Sequence, residues 1–120
     1  MNIEGTRSTP SILIEPGKIE IKGRSIPEDS AEFYEPVLKT IHEYFRNKVV
    51  VTEIHFHLEY INSGSKKYLT NILNVCAEAH RKGNEIRVIW YFDYDDESME
   101  DLGNDLKKII DLPFSIYESN

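Results

Sequence analysis

The residues that could carry chemistry are concentrated between a predicted strand and a predicted helix. Tyr60–Lys67 contains two serines, Ser63 and Ser65, followed by Lys66 and Lys67. Serine is a preferred N-cap residue, so either hydroxyl could simply cap the helix, which contributes about 1 kcal/mol. The alternative is a phosphoacceptor, because the free N–H groups and positive end of a helix, together with two lysines, favour a phosphate. A phosphate there would leave the helix intact and place negative charge in any surface on which a partner docks.

Two histidines form a second candidate site. His55 and His57 are two residues apart on a predicted strand, so both imidazoles project from one face, between Glu53 and Glu59. Histidine and carboxylate groups can bind zinc, which makes a metal-dependent enzyme using His55 and His57 one alternative. A solvated sheet face with cross-strand ion pairs explains the same residues without a metal. Since the pattern offers no firm third ligand, we predict no metal site.

Other catalytic patterns are not matched. The acidic run Asp93–Asp101 has Ser98 and Asn104 where a calcium loop of the EF-hand type needs glycine and glutamate, and acidic residues suit the start of a helix. There is no nucleophile elbow and no glycine-rich phosphate loop. Cys76, the single cysteine, falls in an apolar helical pattern and is predicted to be buried. We therefore expect a protein that is not an enzyme, with no catalytic residue and no cofactor.

Strands and helices must alternate to position these residues, in the order β-β-α-β-α-β-α-β. The Pro16-Gly17 pair predicts a tight turn, because proline fixes φ at the first turn position and glycine accepts a positive φ at the second. Pro36 interrupts the first helical pattern, so we expect that helix to begin irregularly or at Pro36. Gly83 is placed to terminate the second helix. The predicted strands cover residues 11–15, 18–22, 49–61, 86–93 and 114–117, and the predicted helices cover residues 30–47, the stretch from Ser65 to Gly83, and residues 97–110.

The two central strands each have one apolar and one polar face. Ile54, Phe56, Leu58 and Tyr60 alternate with charged residues and histidines, and the strand from Ile86 repeats the alternation. A sheet covered by helices on both faces would need strands that are apolar on both sides. The pattern therefore predicts an α/β sandwich of one domain, residues 1–120, with a sheet whose helices lie mainly on one face.

Composition excludes several classes of partner. The net charge is −7 and the pI is near 5.1, without the basic stripe that nucleic-acid binding requires. No apolar run approaches the roughly 20 residues that cross a membrane. A lone cysteine and the lack of a signal-peptide pattern indicate the cytoplasm.

Three segments resemble one known family. Gly5–Pro10 resembles a G-T-x-S-T-P opening, Gly23–Ser30 resembles G-x-S-x-P-E-N-S with Asp29 in place of asparagine, and Tyr60–Lys67 resembles Y-x-N-T-S-S-x-K. These are motifs of the SiaC family of bacterial regulatory phosphoproteins, and the resemblance continues to Pro113-Phe114. It implies a mixed sheet in a STAS-like fold of the SpoIIAA type.

The resemblance also implies a function. The family's phosphorylated threonine falls on Ser63, with Ser65 as the alternative acceptor because Gly64 replaces the hydroxyl residue between them. The unphosphorylated protein would bind and activate a diguanylate cyclase, raising cyclic di-GMP and promoting biofilm growth or aggregation. A dedicated Ser/Thr kinase would add the phosphate and a PP2C-like phosphatase would remove it. The alternative is a STAS-like module that binds an anti-sigma factor or another regulator. The predicted partner-binding residues are Tyr60, Asn62, Ser63, Gly64, Ser65, Lys66 and Lys67.

Overall fold

The fold begins with a hairpin at the predicted Pro16-Gly17 turn. Gly17 has a φ of +89°, which glycine adopts at little cost, and the flanking strands pair antiparallel from Ser11 opposite Lys22 to Glu15 opposite Lys18. The computed structural model describes residues 1–47 and 51–119. Its strands are β1 (Asn2–Ile3), β2 (Ser11–Glu15), β3 (Lys18–Ser25), β4 (Val51–Ile61), β5 (Glu85–Asp93) and β6 (Phe114–Ser119), and its helices are α1 (Ser30–Arg46), α2 (Ser63–Arg81) and α3 (Glu97–Ile109).

All six strands form one mixed sheet in the order β1-β2-β3-β4-β5-β6. The pairs β1–β2 and β2–β3 are antiparallel, whereas β3–β4, β4–β5 and β5–β6 are parallel. Four strands therefore end at the same edge of the sheet, at Ser25, Ile61, Asp93 and Ser119, which we term the carboxyl edge. Since each helix follows one of these strands, α1, α2 and α3 all begin near this edge.

The core lies on one face of the sheet. Side chains from alternate strand positions are buried there, as the alternation predicted, and the three helices cover them. The largest fully buried side chains are Trp90, Tyr34, Phe56, Ile12, Ile19, Ile21, Ile41, Ile54, Leu58, Leu69, Ile72 and Leu73.

In residues 1–47 and 51–119, no helix is both long enough and apolar enough to span a membrane.

Several element boundaries differ from the prediction. The two-residue strand β1 was missed, because so short a segment carries no period, and β3 continues to Ser25 where a loop was expected. Helix α1 begins at Ser30 with Asp29 as its N-cap and accommodates Pro36 in its interior. Both Pro36 and Glu32, whose carbonyl loses its partner, are exposed, so water can replace the missing hydrogen bond. The predicted start of β4 at residue 49 lies outside the described residues.

Candidate phosphorylation site

Asn62 connects the end of β4 to the start of α2. As the N-cap of α2, its side-chain oxygen accepts the Ser65 N–H at 2.9 Å, and its side-chain amide donates to the Pro27 carbonyl at 3.0 Å. Its backbone N–H donates to the Ser25 carbonyl at 3.0 Å, and its own carbonyl accepts the Lys66 N–H at the same distance. Because every polar group of Asn62 is used, the corner between β4 and α2 is fixed to the neighbouring β3 and the loop after it.

Ser63 is the first residue of α2 and is exposed. The N–H groups of Ser63 and Gly64 precede the intrahelical hydrogen bonds and have no partner within residues 1–47 and 51–119. Lys66 lies one turn further along, on the same side of the helix as Ser63, and Lys67 follows it; both are exposed. Free amides, a positive helix end and two lysines together make a favourable environment for a phosphate on the Ser63 oxygen.

Ser65 lies on the opposite side of the same turn and is fully buried. Its hydroxyl accepts a hydrogen bond from the Ser25 hydroxyl at 2.8 Å, and the Ser25 oxygen also contacts the Tyr34 hydroxyl. Burial raises the pKa of Tyr34, which keeps this hydroxyl protonated as a member of the network. The two candidate serines therefore differ in access: the Ser65 hydroxyl is part of the core, and Ser63 faces solvent.

Gly64 brings the starts of two helices into contact. A Cβ atom at residue 64 would meet the Ser30 hydroxyl and lie 2.9 Å from the Ser30 Cβ, closer than real side chains approach. Ser30 is the first residue of α1, so the first turns of α1 and α2 pack directly against one another here. Glycine at residue 64 permits this contact without displacing Ser30.

The three sequence segments with recognisable motifs converge at the carboxyl edge. The Ile26 N–H donates to the Ser8 carbonyl at 2.8 Å, which joins the first segment to the second. Asn62, in the third segment, bonds to Ser25 and Pro27 in the second. Segments that are far apart in the chain thus build one surface around Ser63, to which Ile26 adds an exposed apolar side chain. Sequence reasoning did not assign Ser25, Ile26 or Tyr34 to this site.

The predicted partner-binding residues divide into two groups. Asn62 and Ser65 direct their polar groups into the fold, while Ser63 and the two lysines face outward. Tyr60 also faces outward, with 56% of its surface exposed, although the strand alternation had placed it on the core face. The Arg24 guanidinium lies 5.1 Å from the centroid of the Tyr60 ring and 3.6 Å from a Glu59 carboxylate oxygen.

His55 and His57 lie on the uncovered face of the sheet, each beside a different carboxylate. His55 Nε2 is 3.1 Å from Glu53 Oε1, and His57 Nε2 is 3.1 Å from Asp93 Oδ1. The ring of Tyr91 packs beside both imidazoles. Within residues 1–47 and 51–119, no three histidine, cysteine or acidic side chains converge in a way that could hold a metal ion. Cys76 is buried among apolar side chains, and this burial raises the pKa of its thiol.

Comparisons with known proteins point to one family. The sequence model described as "SiaC family regulatory phosphoprotein" matches residues 3–119. An uncharacterised protein of Pseudomonas aeruginosa (strain UCBPP-PA14) is 29% identical over 118 residues, covering 97% of this chain and 94% of that protein. The crystal structure of the Pseudomonas aeruginosa diguanylate cyclase SiaD in complex with its activator SiaC matches with a TM-score of 0.93 at 28% identity, covering 99% of both chains. A structure of SiaC alone from the same organism matches with a TM-score of 0.91 at 27% identity, covering 99% of this chain and 98% of that one.

Proposed function

Because the chain belongs to the SiaC family of regulatory phosphoproteins, we propose that it binds and activates a diguanylate cyclase and that phosphorylation of Ser63 switches this binding off. The first half of the proposal is supported by the likeness to SiaC, which is the activator of the cyclase SiaD in the matching complex. The expected output is a rise in cyclic di-GMP while Ser63 is unmodified, which would promote aggregation and biofilm growth.

The observation that carries the second half is the difference in burial between Ser63 and Ser65. Ser63 is exposed at the start of α2, whereas the Ser65 hydroxyl is enclosed with Ser25 and Tyr34. A kinase must bring the acceptor oxygen to the γ-phosphate of ATP, so an enclosed hydroxyl would require local unfolding first. Ser63 meets this requirement in the folded state.

The phosphate would act on the surface and leave the fold intact. The hydrogen bonds that hold the corner are made by Asn62 and Ser65, and none of them uses the Ser63 hydroxyl. A group with close to two negative charges would be held by the free N–H groups and by Lys66. The phosphate would occupy the space in which a partner docks against Tyr60, Ser63 and Lys66. It would also change the charge of that surface from positive to negative.

We also propose the remaining parts of the switch. A Ser/Thr kinase would add the phosphate and a PP2C-like phosphatase would remove it, both in the cytoplasm, and the chain itself would catalyse no reaction. The regulatory description of the family supports this division of labour. His55 and His57, the residues considered for catalysis, are each engaged with a different carboxylate.

The test is an affinity capture from the native host with three baits: wild type, Ser63→Asp and Ser115→Asp. Ser115 is an exposed serine near the start of β6, at the other end of that strand from the carboxyl edge, so it controls for an added carboxylate away from the Ser63 surface. We expect wild type and Ser115→Asp to capture a protein with a diguanylate cyclase domain, and Ser63→Asp to lose it. Purified wild type should then raise cyclic di-GMP synthesis by that cyclase.

Two results would contradict the proposal. Capture of a regulator without a cyclase domain, with no cyclase present, would favour the anti-sigma type of partner. Equal capture by Ser63→Asp and wild type would show that the Ser63 surface does not control docking. Intact mass and peptide mapping of chain purified from the host should locate any phosphate, and a phosphate found on another residue would remove Ser63 from the switch.

A further inference from the structure

A groove crosses the carboxyl edge between α2 and the start of α3. Its floor contains the apolar side chains of Ile61, Met99 and Leu102. One wall of the groove is formed by Arg24, Glu59, Tyr60 and Lys66, with Arg24 paired to Glu59, and the other by Asp93, Asp95, Asp96 and Ser98. The exposed ring of Tyr60 adds aromatic surface on the first wall.

The acidic wall belongs to a segment that holds the net charge of the chain. Residues 93–105, which we term the acidic segment, contain seven of the 21 acidic residues and none of the 14 lysines and arginines. The other 107 residues contain 14 acidic and 14 basic residues and are balanced. The net charge of −7 is therefore concentrated at the end of β5, the following turn and most of α3.

The fold does not neutralise this charge. Among the described residues, no lysine or arginine nitrogen lies within 4.0 Å of a carboxylate of the acidic segment, and Asp93 contacts the imidazole of His57. Asp96 caps α3 by accepting the Met99 N–H at 3.1 Å. Asp95, Asp101 and Asp105 are exposed, and the helix dipole favours acidic residues only in the first turn. Like charges at this spacing repel one another, and the carboxylates beyond the first turn gain nothing from the helix dipole to offset that repulsion.

The sign of the charge restricts what can occupy the groove. Nucleic acids and membrane surfaces are anionic and would be repelled. In residues 1–47 and 51–119, no set of three acidic, histidine or cysteine side chains is arranged to hold a metal ion. A protein segment with lysine or arginine residues remains, and exposed aromatic rings suit it because they contact both apolar side chains and cations. Tyr94, 77% exposed, adds such a ring in the acidic segment itself.

We propose that this groove binds a lysine- or arginine-bearing segment of a protein partner, with its basic side chains on the Asp93–Asp96 wall and its apolar side chains over Met99 and Leu102. The proposal goes beyond the switch at Ser63, since it requires neither a cyclase as the partner nor a phosphate. Both surfaces border Tyr60 and Lys66, so one partner can use the two together.

The probe is a synthetic amphipathic peptide of lysine and leucine, with a copy in which glutamine replaces every lysine. Titration into the full chain, labelled with ¹⁵N, gives the affinity and the amides that shift. We expect the lysine peptide to shift amides of the acidic segment and of Tyr60–Ile61, and its binding to weaken steeply with added salt. The glutamine copy should bind more weakly than the lysine peptide. The variant Asp93→Asn/Asp95→Asn/Asp96→Asn, in which asparagine keeps the cap of α3, should weaken binding about tenfold, since exposed charge pairs contribute fractions of a kcal/mol each.

A matched variant separates a specific groove from general attraction. Glu4→Gln/Glu15→Gln/Glu43→Gln removes the same amount of charge from exposed residues elsewhere and should bind like wild type. No binding, equal loss in the two triple variants, or shifts scattered over the surface would each overturn the proposal. Ser63→Asp removes no acidic residue from the groove, so it should not weaken binding of the lysine peptide. The groove and the switch at Ser63 can therefore fail separately.

Discussion

Two strand-to-helix corners of the same construction lie side by side at the carboxyl edge. The first joins β4 to α2 through Asn62, and the second joins β5 to α3 through Asp96. In each corner the N-cap side chain accepts the N–H of the residue three positions later, Ser65 in the first and Met99 in the second. Each also has an exposed serine in its first turn.

The corners differ in charge and in how far their hydrogen bonds reach. The α2 corner has a neutral cap, no acidic residue in its first turn, and long-range bonds to Ser25 and Pro27. The α3 corner has a charged cap with Glu97 and Glu100 in its first turn. The same backbone geometry therefore leaves one positive helix end open to an added anion and fills the other in advance. This is the physical reason for proposing a phosphate at Ser63 and a basic partner segment at α3.

The largest expected effect comes from the glycines that pack these helices. A Cβ at Gly103 would lie 2.5 Å from Trp90 Cδ1 and 2.6 Å from Trp90 Nε1, and Trp90 is fully buried with its N–H bonded to the Met99 carbonyl. We expect Gly103→Ala to lower the free energy of unfolding by about 2 kcal/mol, because overpacking a buried ring outweighs the gain in helix propensity.

Gly64→Ala is the matched variant at the α2 corner. Its new methyl group meets Ser30, a short and half-buried side chain, and we expect a loss of no more than about 1 kcal/mol. Urea denaturation of both variants measures the difference. Equal losses would mean that the Gly64 contact is as rigid as the one against Trp90.

The next effect tests how far the hydrogen bonds of the two N-cap residues, Asn62 and Asp96, extend into the rest of the fold. Asn62→Ala removes a cap and a hydrogen bond to Pro27, and should cost about 2 kcal/mol. Asp96→Ala removes a cap alone and should cost about 1 kcal/mol. Thermal or urea unfolding checks both values. A loss for Asp96→Ala as large as that for Asn62→Ala would contradict the view that the α2 corner is tied to its neighbours and the α3 corner is local.

The sequence predicted the fold wherever a residue period was long enough to be read. The alternation from Ile54 to Leu58 and from Ile86 to Phe92 identified both the core strands and the uncovered polar face. Boundaries were less secure, because Pro36 can be tolerated inside a helix when the carbonyl it leaves unpaired is exposed to water. Pairing partners are a property of the whole sheet, so the two-residue strand β1 could not be read from its own residues.

The candidate site could be read from the sequence only in part, and its role stays a prediction. The motifs identified the family and the segment Tyr60–Lys67, but they left Ser63 and Ser65 as alternatives. The difference between them depends on helix phase and on long-range contacts, since Ser65 is enclosed by Ser25 from β3 and Tyr34 from α1. Propensity along one segment contains no such information. For the same reason, the alternation along β4 did not predict that Tyr60, near the end of the strand, is exposed.

The buried hydroxyl network under the α2 corner should make the stability of the fold depend on pH. The pKa of Tyr34 is raised in the folded state, so its contribution to stability is complete below the ordinary tyrosine value and is lost as pH rises through the folded pKa. We expect stability to fall above about pH 10, by at most about 1.4 kcal/mol per pH unit from this one group. Tyr34→Phe should flatten that fall, whereas Tyr94→Phe, at the exposed ring of the α3 corner, should leave it in place. Urea unfolding at a series of alkaline pH values measures the slopes, and equal slopes for Tyr34→Phe and wild type would contradict the assignment.

The smallest effect is the most direct comparison of the two corners. Ser63→Asp places a carboxylate at a helix start that has no acidic residue, and should stabilise the fold by about 0.5 kcal/mol. Ser98→Asp places the same group beside Asp95, Glu97 and Asp101, where like-charge repulsion should turn the effect into a loss of similar size. The two variants differ from wild type by the same atoms, so the sign of the difference depends only on the surroundings, and added salt should reduce it. If both variants changed the free energy of unfolding by the same amount, the acidic segment would exert no local electrostatic effect. The electrostatic distinction between the two corners would then be wrong.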